Sequence, residues 1–130
     1  MTKRTLYSLT KRYEADLGDD KQVVGNVYLR LNHQLSYRVN INYLPGVKSV
    51  RLRLGSSGGP VVTYLYGPTK SRVSPVQSSG IISSYDLRGP LRGQSVSALV
   101  KQMDKGNIWA DAATKEQPYG AAVGRVYRRR

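Results

Sequence analysis

Strict alternation is the feature that most constrains this chain. Leu35, Tyr37, Val39, Ile41 and Tyr43 share one face of an extended segment, and Ser36, Arg38, Asn40 and Asn42 share the other. Successive side chains of a strand point to opposite faces, so the pattern predicts a strand buried on one side and wet on the other. Val27, Leu29 and Leu31 alternate with Tyr28 and Arg30 just before it, and Asn32-His33-Gln34 reads as the hairpin turn between them. Leu44-Pro45-Gly46 carries the residues of a type II turn. Val50, Leu52 and Leu54 then alternate with Ser49, Arg51 and Arg53. Past the Gly55–Pro60 loop, Val62, Tyr64 and Tyr66 make another strand, closed by Gly67-Pro68. Thr5–Tyr13 alternates weakly, Ile81-Ile82 begins a short strand, and two more strands are expected around Ile108–Ala113 and Ala121–Arg128. Residues 67–80 are expected to be the longest irregular stretch.

One segment changes period. Val96, Leu99, Val100 and Met103 fall on one helical face, with Ser95 placed to cap its start and Gly106 to end it. Short, regularly spaced strands with Gly/Pro turns and one late helix indicate an all-β sandwich or barrel. At 130 residues the chain is expected to form one domain around one modest core. Ten Tyr and no Phe make tyrosine the main large aromatic, so Tyr37, Tyr43, Tyr64 and Tyr66 are expected inside with their hydroxyls at the core's edge.

Charge sets the class of partner. Lys plus Arg number 21 against 8 Asp plus Glu, a net charge of +13, and a chain this basic suits an acidic partner. Arg38, Arg51 and Arg53 alternate with apolar residues, which predicts a basic contact face on the solvent side of neighbouring strands. Arg128, Arg129 and Arg130 read as a basic tail. The acids are segregated: Glu14, Asp16, Asp19 and Asp20 form a patch onto which another copy's basic surface could dock.

Catalytic chemistry finds little to stand on. With no Cys there is no disulfide framework, zinc finger or thiol nucleophile. The single His33 sits in a polar turn, and no Gly-x-Ser-x-Gly elbow surrounds any serine. The acidic cluster has no EF-hand spacing, and Gly55–Gly59 lacks the Lys-Ser/Thr ending of a phosphate-binding loop. No catalytic residues, metal site, cofactor or small-molecule substrate are therefore expected. No apolar run is long enough for a membrane span, and Met1–Tyr7 lacks the apolar region of a signal peptide.

The C-terminal half carries an ordered string: Asp86-Leu87-Arg88-Gly89-Pro90-Leu91, Gly93-Gln94-Ser95, Gly106-Asn107, then Pro118, Gly120 and Gly124. With Gly25, Gly46-Val47 and Gly59-Pro60-Val61-Val62, this string resembles the CHRD (chordin-type) domain over residues 5–127. The resemblance implies an Ig-like or superoxide-dismutase-like Greek-key β-sandwich with one short helix near 95–105. It also implies where the chain departs. The family carries His-x-His where Arg51 and Arg53 stand and a further His where Ala113 stands, so its metal ligands are missing here. The family's habits favour a bacterial cell surface or spore envelope.

Two functions fit. One is a non-enzymatic structural protein that assembles with its own copies into a surface, fibre or spore-envelope polymer. Charge complementarity would hold it, with Thr5, Leu6, Tyr7 and Leu9 as a candidate donated strand. The other is a basic module that binds polyanions, either nucleic acid or an anionic wall polymer.

Overall fold

Alternation becomes strand almost wherever it occurs. The computed structural model describes residues 10–70 and 75–129. Its strands are β1 (Lys11–Gly18), β2 (Val23–Leu31), β3 (Leu35–Ile41), β4 (Val47–Leu54), β5 (Val61–Tyr66), β6 (Val76–Ile82), β7 (Ile108–Thr114), β8 (Ala122–Arg125) and β9 (Tyr127–Arg129). One helix, α1 (Val96–Asp104), precedes β7. It ends as the sequence predicts. Gly106 takes φ 75°, its N–H donates to the Met103 carbonyl, and the Asn107 N–H donates to the Gln102 carbonyl. That pair of bonds is the Schellman arrangement, which needs a left-handed residue at this position. Leu99, Val100 and Met103 are the face α1 buries. Neither α1 nor any other described helix is long and apolar enough to cross a membrane.

The strands form one antiparallel sheet in the order β5-β4-β7-β8-β1-β2-β3-β6, with β9 also on β1. The sheet wraps until its two ends meet, and the Ser78 hydroxyl of β6 donates to the Leu65 carbonyl of β5 across the closure, at 3.2 Å. All-β architecture with a single α-helix is thus the fold class. Its two halves join where β8 reaches β1, at the Gly18–Val123 pair. Gly124 makes that approach possible, because any Cβ there would collide with the Asp16 carbonyl.

The core lies inside the wrap. Leu17, Val27, Val39, Ile41, Val50, Leu52, Leu65, Leu99 and Ile108 are all inaccessible or nearly so. Two expectations need correction. Tyr43 is 68% exposed, because β3 stops at Ile41. The chain then turns so that the Asn42 and Tyr43 N–H groups both reach the Val24 carbonyl. Alternation counted past a strand end no longer reports a face. Tyr37, Tyr64 and Tyr66 are half-buried, and among the described residues the fully buried tyrosine is Tyr13. The stretch 67–80 is not wholly irregular either, since β6 begins at Val76 and ends, rather than starts, at Ile81-Ile82. Its inward positions carry Ser78 and Gly80 between Val76 and Ile82. Gly80 stands opposite Tyr37, whose ring fills the space a side chain at 80 would take, so apolar periodicity vanishes from this strand.

Candidate functional site

The outward face of β9, β1, β2 and β3 gathers cations by register. Arg12 pairs directly with Arg129 on one side and Arg30 on the other. In the next row Glu14 pairs with Tyr127 and Tyr28, and Tyr28 pairs with Arg38. Directly opposed residues share a sheet face, and strands lie about 4.8 Å apart, so Arg129, Arg12 and Arg30 form a row roughly 10 Å long. Like charges directly opposite one another destabilise a sheet. Glu14 offsets part of this through its ion pair with Arg129, at 3.2 Å. The Arg38 guanidinium lies over the Tyr28 ring, 5.2 Å from its centre, which fixes a cation and an aromatic face together.

A shallow groove of about 540 Å³ runs over this face, lined by Arg12, Arg30, Arg38 and Arg129 with Tyr28, Tyr37 and Ser36. Among the described residues no carboxylate lines it. A second depression beside it is lined by Thr10, Lys11, Arg12, Arg128 and Arg129. Lys11, in its lining, is anchored elsewhere: Asp104 of α1 accepts hydrogen bonds from Lys11 Nζ at 3.0 Å and from the Tyr13 hydroxyl at 2.6 Å. Burial raises the Asp104 pKa, but the Tyr13 and Lys11 bonds outweigh it and hold the carboxyl below its ordinary 3.8. Burial, then that same bond to Asp104, pushes the Tyr13 hydroxyl well above its ordinary range.

The sequence-predicted residues separate. Arg38 is exposed on this face. Arg51 and Arg53 are not on a solvent face at all, each being only 8% exposed. They project from the outer side of β4, but the loop at Gly59 and the segment at Tyr119 fold over Arg53. Between them sits Asp111 of β7, 1% exposed. Arg51 Nε and Nη2 donate to it at 2.8 and 3.2 Å, and Arg53 Nε donates to it at 2.5 Å. Arg53 Nη1 donates to the Gly59 carbonyl at 2.7 Å, and its Nη2 reaches the Tyr119 carbonyl at 3.4 Å. The alternation identified their face correctly and missed what covers it.

Arg128 and Arg129 do not form a free tail; they are strand residues paired with Tyr13 and Arg12. Arg130 lies outside the described residues, as do Thr5, Leu6, Tyr7 and Leu9. The acidic patch also has internal uses. Glu14 pairs with Arg129, and Asp16 accepts from Asn26 Nδ2 at 2.6 Å. Burial raises the Glu14 pKa, with Arg129 opposing the rise. Asp19 accepts the Lys21 and Gln22 N–H groups and so closes the β1–β2 turn, which lowers its pKa. Asp20 is exposed on that same turn.

Arg12, Arg30 and Asp111 are the residues the pattern did not single out. Arg30 lies between Leu29 and Leu31, the same outward signature as Arg38, and was legible by it, whereas Arg12 follows Lys11 and has an apolar neighbour only in Tyr13. No protein-family model matches the chain, no curated protein matches it, and no solved structure matches it.

Proposed function

We propose that the groove over β9, β1, β2 and β3 binds anionic polymers, with phosphate-type charge contacts and no sequence readout. The observation that carries this reading is the directly opposed row Arg129–Arg12–Arg30, a repulsive arrangement that a bound polyanion relieves. Arg suits it better than Lys because the planar fork binds phosphate through two hydrogen bonds and stacks on rings. The fold is read with it as an Ig-like or superoxide-dismutase-like Greek-key sandwich and the chain as a chordin-type relative. Support for that comes from the meeting of β5 and β6 and from the structural use of Gly106 and Gly124.

The test is titration of the full chain with single-stranded DNA, heparin and an anionic wall polymer over a range of salt. Four engaged arginines give a slope of log K against log salt of about −3 for single-stranded DNA. The double variant Arg12→Ala/Arg30→Ala should lose roughly half of that slope. Binding that ignores salt, or a double variant that binds like the parent, sinks the proposal.

Assembly into a surface, fibre or spore-envelope polymer is the second reading. Three large aromatic surfaces favour it: Tyr85 is 96% exposed, Tyr119 85% and Tyr43 68%. Aromatic side chains of this kind are enriched in protein interfaces. Filaments or large particles in negative-stain images, without added polymer, are its expected outcome; a sharp monomer in sedimentation at high concentration and low salt counts against it.

A further inference from the structure

Two buried guanidiniums share one buried carboxylate. Arg51, Arg53 and Asp111 therefore leave one net positive charge in a place where water reaches little. Arg53 spends all three of its nitrogens, on Asp111, Gly59 and Tyr119. Arg51 does not: its Nε and Nη2 hold Asp111, and its Nη1 has no hydrogen-bond partner among the described residues. Among the described residues no buried side-chain nitrogen or oxygen lacks a partner, so this unbonded nitrogen is reached by solvent and offers its N–H donors to an anion arriving from the surface.

The surface beside it fits one. A depression of about 490 Å³ is lined by Arg51 together with Lys48, Lys115, Tyr64 and Thr114, and among the described residues no carboxylate lines it. Lys48 is held near Lys70, whose carbonyl its Nζ reaches at 2.8 Å, and Lys115 is exposed at the rim. We propose that this depression is a site for a single tetrahedral oxyanion, a phosphate group. The group would take the free edge of Arg51, with Lys115 and Lys48 closing over its outer oxygens. The site lies on β4, β5 and β7, away from the polymer groove on β9, β1, β2 and β3, and the proposal stands without that reading.

Calorimetric titration of the full chain tests it, with inorganic phosphate in one arm and O-phosphoserine in the other. Saturable one-to-one binding is expected in at least one arm, and the tighter arm tells whether the group arrives free or as an ester. Lys115→Ala should weaken that binding about tenfold, the loss of one charge-assisted bond. Lys105→Ala, exposed and outside both candidate sites, should leave it unchanged. Arg51→Lys removes the planar fork and should weaken binding further. If that variant fails to fold, Lys48→Ala with Lys115→Ala makes the same test. No saturable binding in either arm, or equal weakening by Lys105→Ala and Lys115→Ala, overturns the site.

Discussion

The outer faces of the two halves of this sheet start from the same sequence grammar and reach opposite ends. On β2 and β3, Arg30 and Arg38 alternate with apolar residues and remain exposed. On β4, Arg51 and Arg53 alternate with apolar residues and are buried. The difference lies outside the strands. The chain around Gly59 and Tyr119 closes over β4, and β7 brings Asp111 opposite Arg51. Among the described residues nothing comparable covers the outer side of β2 and β3, where the groove lies open. An arginine's face is thus set locally, but its environment is set by segments remote in sequence.

The largest expected effect comes from breaking the covered side. Asp111→Ala leaves two guanidiniums buried without a counter-charge and should cost about 3–5 kcal/mol in urea unfolding. On the open side, Arg30→Ala should change stability by no more than about 0.5 kcal/mol. Equal effects at the two positions would mean that the buried triad is not a closed unit and would erase the contrast.

A second experiment sharpens the same point. Replacing Arg51, Arg53 and Asp111 together by apolar residues of similar volume removes all three charges at once. The loss of mutual attraction is then balanced by the loss of desolvation cost, so the triple variant should lie within about 2 kcal/mol of the parent, far above Asp111→Ala. A triple variant as unstable as the single one would show that the hydrogen bonds to Gly59 and Tyr119, rather than charge balance, hold this region.

Local signals in the residues reached β2 to β5, β7, the Asn32–Gln34 turn and α1, because alternation, turn chemistry and an apolar helical face are short-range properties; of the strand expected over Thr5–Tyr13 only Lys11–Tyr13 falls in β1, which runs on to Gly18, and Ser95 makes no side-chain cap bond. The structure keeps all three, with the helix ending at Gly106 as read. They did not reach β6, because its inward positions are Ser78 and Gly80, small residues that accommodate the ring of Tyr37. That complementarity belongs to a strand pair, and one strand alone does not reveal it. The candidate groove was half legible. Arg38 was named from its alternation, while Arg12, Arg30 and Arg129 become a row only once β9, β1 and β2 are placed in register. Asp111 was invisible for the same reason: its value as a counter-ion depends on a partner 60 residues away in sequence.

Asp104 lies between the two extremes, partly covered, and bonded to Tyr13 and Lys11. Its folded pKa lies below the ordinary 3.8, so the unfolded chain takes up its proton first as pH falls. Its contribution is therefore complete above pH 3.8 and is lost as pH drops through the folded value. Asp104→Asn should cost about 1 kcal/mol near neutral pH, since the side chain is a third exposed and solvent screens the Lys11 pair. The deficit should shrink in acid. A deficit that stays constant down to the acid transition would assign the effect to the geometry of the Tyr13 bond alone.

The smallest expected effect probes how free the open face is. Arg38 rests over the Tyr28 ring, so part of its charge is already directed at an aromatic surface. Exposed contacts of this kind are worth about 0.5–1 kcal/mol, and a double-mutant cycle with Arg38→Ala and Tyr28→Leu should return a coupling in that range. Among the described residues Arg30 lies over no aromatic ring and is committed only to the groove. Removing Arg30 should therefore lower the salt slope of polymer binding by the full increment of one phosphate contact, about 0.7 for a single strand. Removing Arg38 should lower it by less, because the ring competes with the polymer for the guanidinium. Equal slopes for the two variants would show that Arg38 leaves Tyr28 on binding, and would make the ring available to the polymer as a stacking surface.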